Sequence, residues 1–224
     1  MSMEQHYNET MFGDWRNGIM EKHYNEQWLG GFFDAEGYIG VTPTPRKDHR
    51  IRYTLIPCCH INQAYVAGYF DGEGCVAPAI RQSKTINIGY TVQPNARIRS
   101  KDNDVLDEIH DYLDGFGITS RIYVLPPKYE GVHSMKDLVI YGLANTENFL
   151  LLISPYLHSS KHEQAKIMLS EILPRMKRKE HLTKSGFLKV IEHVDELNSL
   201  KNGVRGKYNS EFFKKIWFED VKNV

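Results

Sequence analysis

Apolar and polar positions change period several times along the chain, and each change predicts an element. Ile88, Tyr90, Val92, Pro94, Ala96 and Ile98 alternate with Gly89, Thr91, Gln93, Asn95, Arg97 and Arg99. A period of two is that of a strand with one buried and one open face, and here the open face is polar and basic. Pro94 brings no N–H to a ladder, which predicts an edge position or a bulge. "KDNDVLDEIHDYLDGFGI" then sets Val105, Leu106, Ile109, Tyr112 and Leu113 at helical spacing, with Asp102 or Asn103 to cap its start and Gly115 or Gly117 to end it. "TSRIYVLPP" and "MKDLVIYGL" read as a further strand pair, and "NTENFLLLISPYL" as a helix stopped near Pro155. Three more helices follow, in "SKHEQAKIMLSEILPRMKRK", "KSGFLKVIEHVDELNSLKNG" and "KYNSEFFKKIWFED", the last capped by Asn209 or Ser210.

Upstream of these elements the chain repeats itself. "GGFFDAEG" aligns with "AGYFDGEG", placing Glu36 and Glu73 37 positions apart, and "IRYTLIPCCHI" aligns with "IGYTVQPNARI" at the same offset. Each unit reads as a short helix followed by a hairpin. In the first hairpin, Tyr53, Leu55, Pro57, Cys59 and Ile61 share a face, while the opposite face mixes Arg52, Thr54, His60 and Asn62 with Ile56 and Cys58. Only the second unit continues past residue 100.

The repeated helix ends raise a chemical question. Asp-x-Glu-Gly puts carboxylates beside C-terminal carbonyls, where the helix dipole favours cations and each misplaced charge costs roughly 0.3–1 kcal/mol. Two such ends, each closed by a Gly that predicts a left-handed cap, point to a compensating divalent cation, for which carboxylate oxygens are hard ligands. The small pairs Gly30–Gly31 and Ala67–Gly68 add a packing constraint. Gly within a helix costs on the order of 1 kcal/mol against Ala, so such pairs predict close approach of another backbone. Two parallel helices meeting there would bring Glu36 and Glu73 side by side, an arrangement suited to two-metal hydrolysis of a phosphodiester.

Composition narrows the class. The 224 residues are 41% hydrophobic and 25% charged, with 13 Tyr and 10 Phe, which excludes a disordered chain and allows a sizeable core. Formal net charge is zero, but charge is collected in blocks: nine Lys or Arg against three acids from Arg46 to Lys101, eight against three from Lys161 to Lys189, and six acids without a base from Asp102 to Asp114. Cys58, Cys59 and Cys75 form no CxxC pair and the ten histidines have no ligand spacing, which argues against structural zinc and fits a reducing compartment. The polar N-terminus and the lack of a long apolar run predict a protein that stays inside the cell and does not cross a membrane.

With these residues in view, "LGGFFDAEG" (29–37) and "VAGYFDGEG" (66–74) resemble the signature of the LAGLIDADG homing endonucleases and related RNA maturases. "IRSKDNDVLDEI" resembles the family's strand-to-helix junction, "SPYLHSSKHEQAKIML" its late segment, and "HLTKSGFLKVIEHVDELN" the helical tail of many members. The resemblance implies an α+β fold, an antiparallel saddle sheet with helices on one face. It divides the chain into a partial first unit (1–60), a complete unit (61–180) and a helical tail (181–224). It also implies site-specific cleavage of double-stranded DNA, with Glu36 and Glu73 as ligands of two or more Mg²⁺ ions. Lys161 would assist water or the transition state, with His158 or His162 as alternatives, and Gln63 and Ser100 would be polar neighbours at the strand ends. On the open sheet face, Arg81, Gln93, Asn95, Arg97 and Arg99 would read base edges, while Lys84, Arg121 and Lys128 would meet phosphates. The rival implied by the same resemblance is a cleavage-inactive binder, an RNA maturase or a DNA-binding regulator.

The first unit departs from the family pattern because its hairpin leads straight into the second signature helix. If Gln63 lies beside the acids, a nine-residue helix starting next to it would have to begin at its far end, roughly 14 Å away. A shifted hairpin that lets the helices pair within one chain, a homodimer through the Glu73 helix, or a degenerate first unit would each resolve this. The complete second half favours the dimer.

Overall fold

The structure, a computed structural model, describes residues 26–36, 61–101, 103–127, 134–201 and 206–219. The predicted first hairpin, together with Lys128, lies outside the described residues. Among the described residues two helices come first, α1 (Glu26–Glu36) and α2 (Gln63–Glu73). Asn62 starts α2 as an Asx cap, its side chain accepting from the Tyr65 N–H at 3.0 Å.

Strands β1 (Gly74–Val76), β2 (Ala79–Gln82), β3 (Tyr90–Gln93) and β4 (Asn95–Ser100) follow. β1 pairs with β4 and β2 with β3, and the Ala77 N–H to Asn95 carbonyl bond of 2.9 Å joins the two ladders. The predicted strand over 88–98 is therefore interrupted at Pro94, a residue without an N–H. Gly89, with φ +78°, supplies the positive backbone angle at the hairpin's end.

Helix α3 (Asn103–Gly115), strands β5 (Ser120–Leu125) and β6 (Met135–Tyr141) and helix α4 (Leu143–Ile153) complete the central part. The four-stranded antiparallel sheet has the order β1-β4-β6-β5. One face, carrying Val76, Ala96, Ile98, Leu138 and Ile140, is fully buried against α2, α3 and α4. The other, carrying Arg97, Arg99, Arg121 and Tyr123, is open. This one-sided burial is what the alternation of apolar and basic residues requires.

Helix α5 (Ser160–Ile167) runs through a π turn at Met168–Ile172 into α6 (Leu173–Lys177), so that Pro174 enters a helix already under way. α7 (Lys184–Ser199) and α8 (Ser210–Lys214) close the molecule. Phe187, Val190, Phe213 and Trp217 from this last part of the chain join the same buried core as the sheet and α2. Tyr90 is the strand residue that receives them, with the rings of Phe213 at 4.9 Å and Tyr208 at 5.5 Å. No described helix is long and apolar enough to cross a membrane.

Candidate functional site

The two signature helices pack against each other at their glycines. A Cβ placed on Gly31 would lie 1.9 Å from the Tyr65 carbonyl oxygen and 2.9 Å from the Tyr69 nitrogen. One placed on Gly68 would lie 2.0 Å from the Trp28 carbonyl oxygen and 2.9 Å from the Phe32 nitrogen. The contacts are reciprocal under the sequence offset, since Tyr65 and Tyr69 stand in the second unit where Trp28 and Phe32 stand in the first. Side chains follow the same exchange: the Trp28 indole donates to Asp71 at 3.1 Å, and the Tyr65 hydroxyl to Asp34 at 2.6 Å. The pair thus has a local two-fold, and the predicted close backbone approach is present. In this chain the glycine face of α2, through which the homodimer was expected, is met at Gly68 by the backbone of α1.

The C-terminal end of α2 is built differently from the sequence expectation. Gly74 is extended, with φ −82° and ψ 165°, so it is not a left-handed cap. It is needed for space instead: a Cβ there would sit 2.2 Å from the Phe70 ring. The cation that the helix end calls for is Lys161. Its ammonium donates to the carbonyls of Phe70 (2.9 Å), Asp71 (2.6 Å) and Gly72 (2.8 Å), satisfying orphan acceptors and the negative end of the dipole together.

Asp71, which sequence reasoning did not separate from its neighbour Glu73, is an organising residue. It is 6% exposed and accepts from the Trp28 indole, the His158 N–H (2.7 Å) and the Ser159 hydroxyl (2.5 Å). These bonds tie α1, α2 and the start of α5 together. The signal for it in the sequence was the identical spacing of Asp34 and Asp71 before the terminal acids.

The remaining predicted site residues separate into groups. Glu73 ends α2 and is half-buried, and the Glu36 side chain lies outside what is described. The Gly74–Ile98 register carries the end of β4, with Arg99 and buried Ser100, alongside the last turn of α2. Gln63 must be corrected. It is the first residue of α2, and ten residues at 1.5 Å rise put it about 15 Å from Glu73. His158 stacks edge-on against Trp28 at 4.9 Å, so its ring serves the helix pair.

On the open face, Arg81, Gln93, Asn95, Arg97 and Arg121 line one groove of about 740 Å³. Lys84 is exposed in the β2–β3 connection. Asn95 differs from its expected role as an exposed reader: it is 6% exposed, tucked in beside the Pro94 break, with its amide donating to the Gln93 carbonyl at 3.3 Å. Arg97 and Arg99 are not independent either. Buried Asp137 of β6 takes Arg99 at 2.7 Å and lies 3.7 Å from Arg97. Arg121 lies over the Tyr141 ring at 5.1 Å. The Lys201 ammonium is held below its usual range by burial, which outweighs its contact with Cys75, and Arg97 nearby adds to the depression.

Comparison with known proteins gives a partial family match and a shared fold. Residues 61–154 match the sequence family described as the LAGLIDADG-like domain. No curated protein matches the sequence. Among solved structures, the homing endonuclease I-CvuI, in complex with the I-CreI target in the presence of Mg, superposes with a TM-score of 0.58 at 19% identity, over 72% of this chain and 95% of that one. The archaeal intron-encoded homing endonuclease I-Vdi141I, complexed with DNA, gives 0.57 at 22%, over 69% and 92%. The homing endonuclease I-TnaI gives 0.53 at 25%, over 71% and 97%. The fold of helices on an antiparallel sheet is that of the LAGLIDADG homing endonucleases.

Proposed function

We propose that this protein is a site-specific endonuclease of the homing type, which hydrolyses phosphodiesters of double-stranded DNA with Mg²⁺. The observation that carries the reading is the reciprocal glycine contact between α1 and α2, which makes a close helix pair whose two sequences both end in acids. The open sheet face beside it, basic and grooved, supports the DNA assignment. I-CvuI and I-Vdi141I are bound to DNA in their structures.

Oxygen donors at this place suit a hard cation. Among the described residues no three His, Cys, Asp or Glu converge, so Glu73 would hold Mg²⁺ together with Glu36 and phosphate oxygens of the substrate. Mg²⁺ is commonly held this way, by one or two carboxylates, substrate phosphates and water. When bound, the ion supplies activation of water and stabilisation of the leaving oxygen. Lys161 fixes the helix end from which Glu73 projects, and Ser100 and Arg99 flank that end. Arg81, Lys84, Gln93, Arg97, Arg121 and Lys128 hold the duplex. We assign residues 61–180 as the complete unit, 1–60 as its partial partner and 181–224 as the tail, with the acids paired in one chain.

The test is cleavage of a random-insert plasmid library with and without Mg²⁺ by the wild type and by Glu73→Gln. Metal-dependent cutting that disappears in Glu73→Gln, with duplex binding retained, is the expected result. Duplex binding without cutting by the wild type would favour the DNA-binding regulator, and preference for structured RNA the maturase.

A further inference from the structure

Two lysines lie near the end of α2, and their ammonium groups are differently engaged. An ammonium has three donors. Lys161 directs all three at the carbonyls of Phe70, Asp71 and Gly72, which leaves none for a water or a phosphate. It is a positioning residue, and any cation that touches the substrate beside Glu73 has to come from elsewhere.

Lys201 follows α7 in the tail, outside the matched residues 61–154. Asn198 anchors it twice, taking the Lys201 N–H at its carbonyl and the ammonium at Oδ1, each at 3.1 Å. The ammonium also meets the Cys75 thiol and lies close enough to Arg97 to be repelled by it. Cys75 and Arg97 are paired directly across β1 and β4, on the open face, since Gly74, Val76, Ala96 and Ile98 between them are buried. Cys75 is two residues past Glu73, a span of at most roughly 7 Å along the chain. Among the described residues the ammonium is given an amide oxygen and a thiol as partners, and no carboxylate. Two cations are thus held together where one has no counter-ion, an arrangement that an anion would complete.

We propose that Lys201 is a further catalytic residue, whose ammonium binds a non-bridging oxygen of the phosphate held at Glu73. Its third donor and its charge act there on the negative charge of the reacting phosphate, the task for which Lys161 has no donor left. The tail thereby takes part in the site instead of only covering the core. This inference rests on the reading of the protein as a DNA endonuclease.

The experiment uses the full chain and a duplex that it cuts, taken from the plasmid library. Binding is measured without divalent ion over a range of NaCl, and cleavage is measured with Mg²⁺ in single turnovers. Lys201→Met should lower the slope of log affinity against log salt by about 0.9, the loss of one phosphate contact. It should slow cleavage about 100-fold and leave the urea midpoint unchanged. Lys201→Arg should keep the wild-type slope, and so should Lys161→Met, whose loss is one of stability. A wild-type slope and rate in Lys201→Met would overturn the proposal, as would an equal loss of slope in Lys161→Met. A lower slope with an unchanged rate would overturn the catalytic role. Lys201→Gln keeps a donor for Asn198 and carries the same expectations as Lys201→Met, so the result does not hang on one variant folding. Failure of the wild type to bind or cut any duplex would instead remove the endonuclease reading, and this inference with it.

Discussion

The same aspartate occurs in α1 and α2, 37 positions apart, and the two live in different surroundings. Asp71 is buried and holds three donors from two distant parts of the chain, α1 and the start of α5, whereas Asp34 is exposed and holds the Tyr65 hydroxyl. At the glycines the helices are nearly interchangeable, since a Cβ added to either would meet the other's backbone at 1.9 or 2.0 Å. A repeated motif therefore dictates its own packing, because close approach needs only small residues on both sides. It does not dictate its burial, which is set by the elements packed around it: α2 leads into a sheet and is met by α5, whose Lys161 and its cap Ser159 return to the helix end.

Breaking the symmetric part should have the largest effect. Gly68→Val and Gly31→Val each drive a branched side chain into backbone that cannot move without parting the helices, and urea unfolding should show a loss of about 3 kcal/mol or more for both. A much smaller loss for Gly31→Val would mean that α1 is not held as the structure shows. The asymmetric part comes next. Asp71→Ala leaves the Trp28 indole and the His158 N–H without their acceptor, and should cost about 2–3 kcal/mol by the same measurement. Lys161→Met removes a charge-assisted donor from three carbonyls, for about 2 kcal/mol. Asp34→Ala, on the exposed side, should cost under about 1 kcal/mol. Equal losses for the two aspartates would erase the distinction drawn between the halves.

The smallest effect tests a site away from the pair. Burial lowers the His181 pKa from the usual 6.5 in the turn between α6 and α7. The unfolded chain then binds more protons than the folded one between the lowered value and 6.5, so stability is complete above about pH 6.5 and declines as pH falls through the folded value. His181→Gln should flatten that part of a stability-against-pH curve and leave the contrast between Asp71 and Asp34 unchanged.

Much of this was legible in the order of residues. Alternation over 88–99 determined which sheet face is buried, since inward and outward positions differ by one residue and cannot be exchanged without exposing Ile98 or burying Arg97. The glycine pairs announced a backbone contact, since the helical cost of Gly is borne where a steric reason requires it. Repetition of the acids located the helix ends where chemistry is proposed. Long-range pairing was not legible. Nothing near Asp137 in sequence indicates that it meets Arg97 and Arg99, the latter 38 positions away, because strand register is set by the sheet as a whole. Lys161 finds the end of α2 across some ninety residues for the same reason. Nor did the sequence reveal that Gly74 serves space and not a left-handed turn, since glycine has both uses and only the position of the Phe70 ring selects one. Local periodicity and residue chemistry determined the elements and their faces; which charges meet, and which of two identical acids is buried, was decided by tertiary packing, because burial and ion pairing depend on neighbours that only the folded chain assembles.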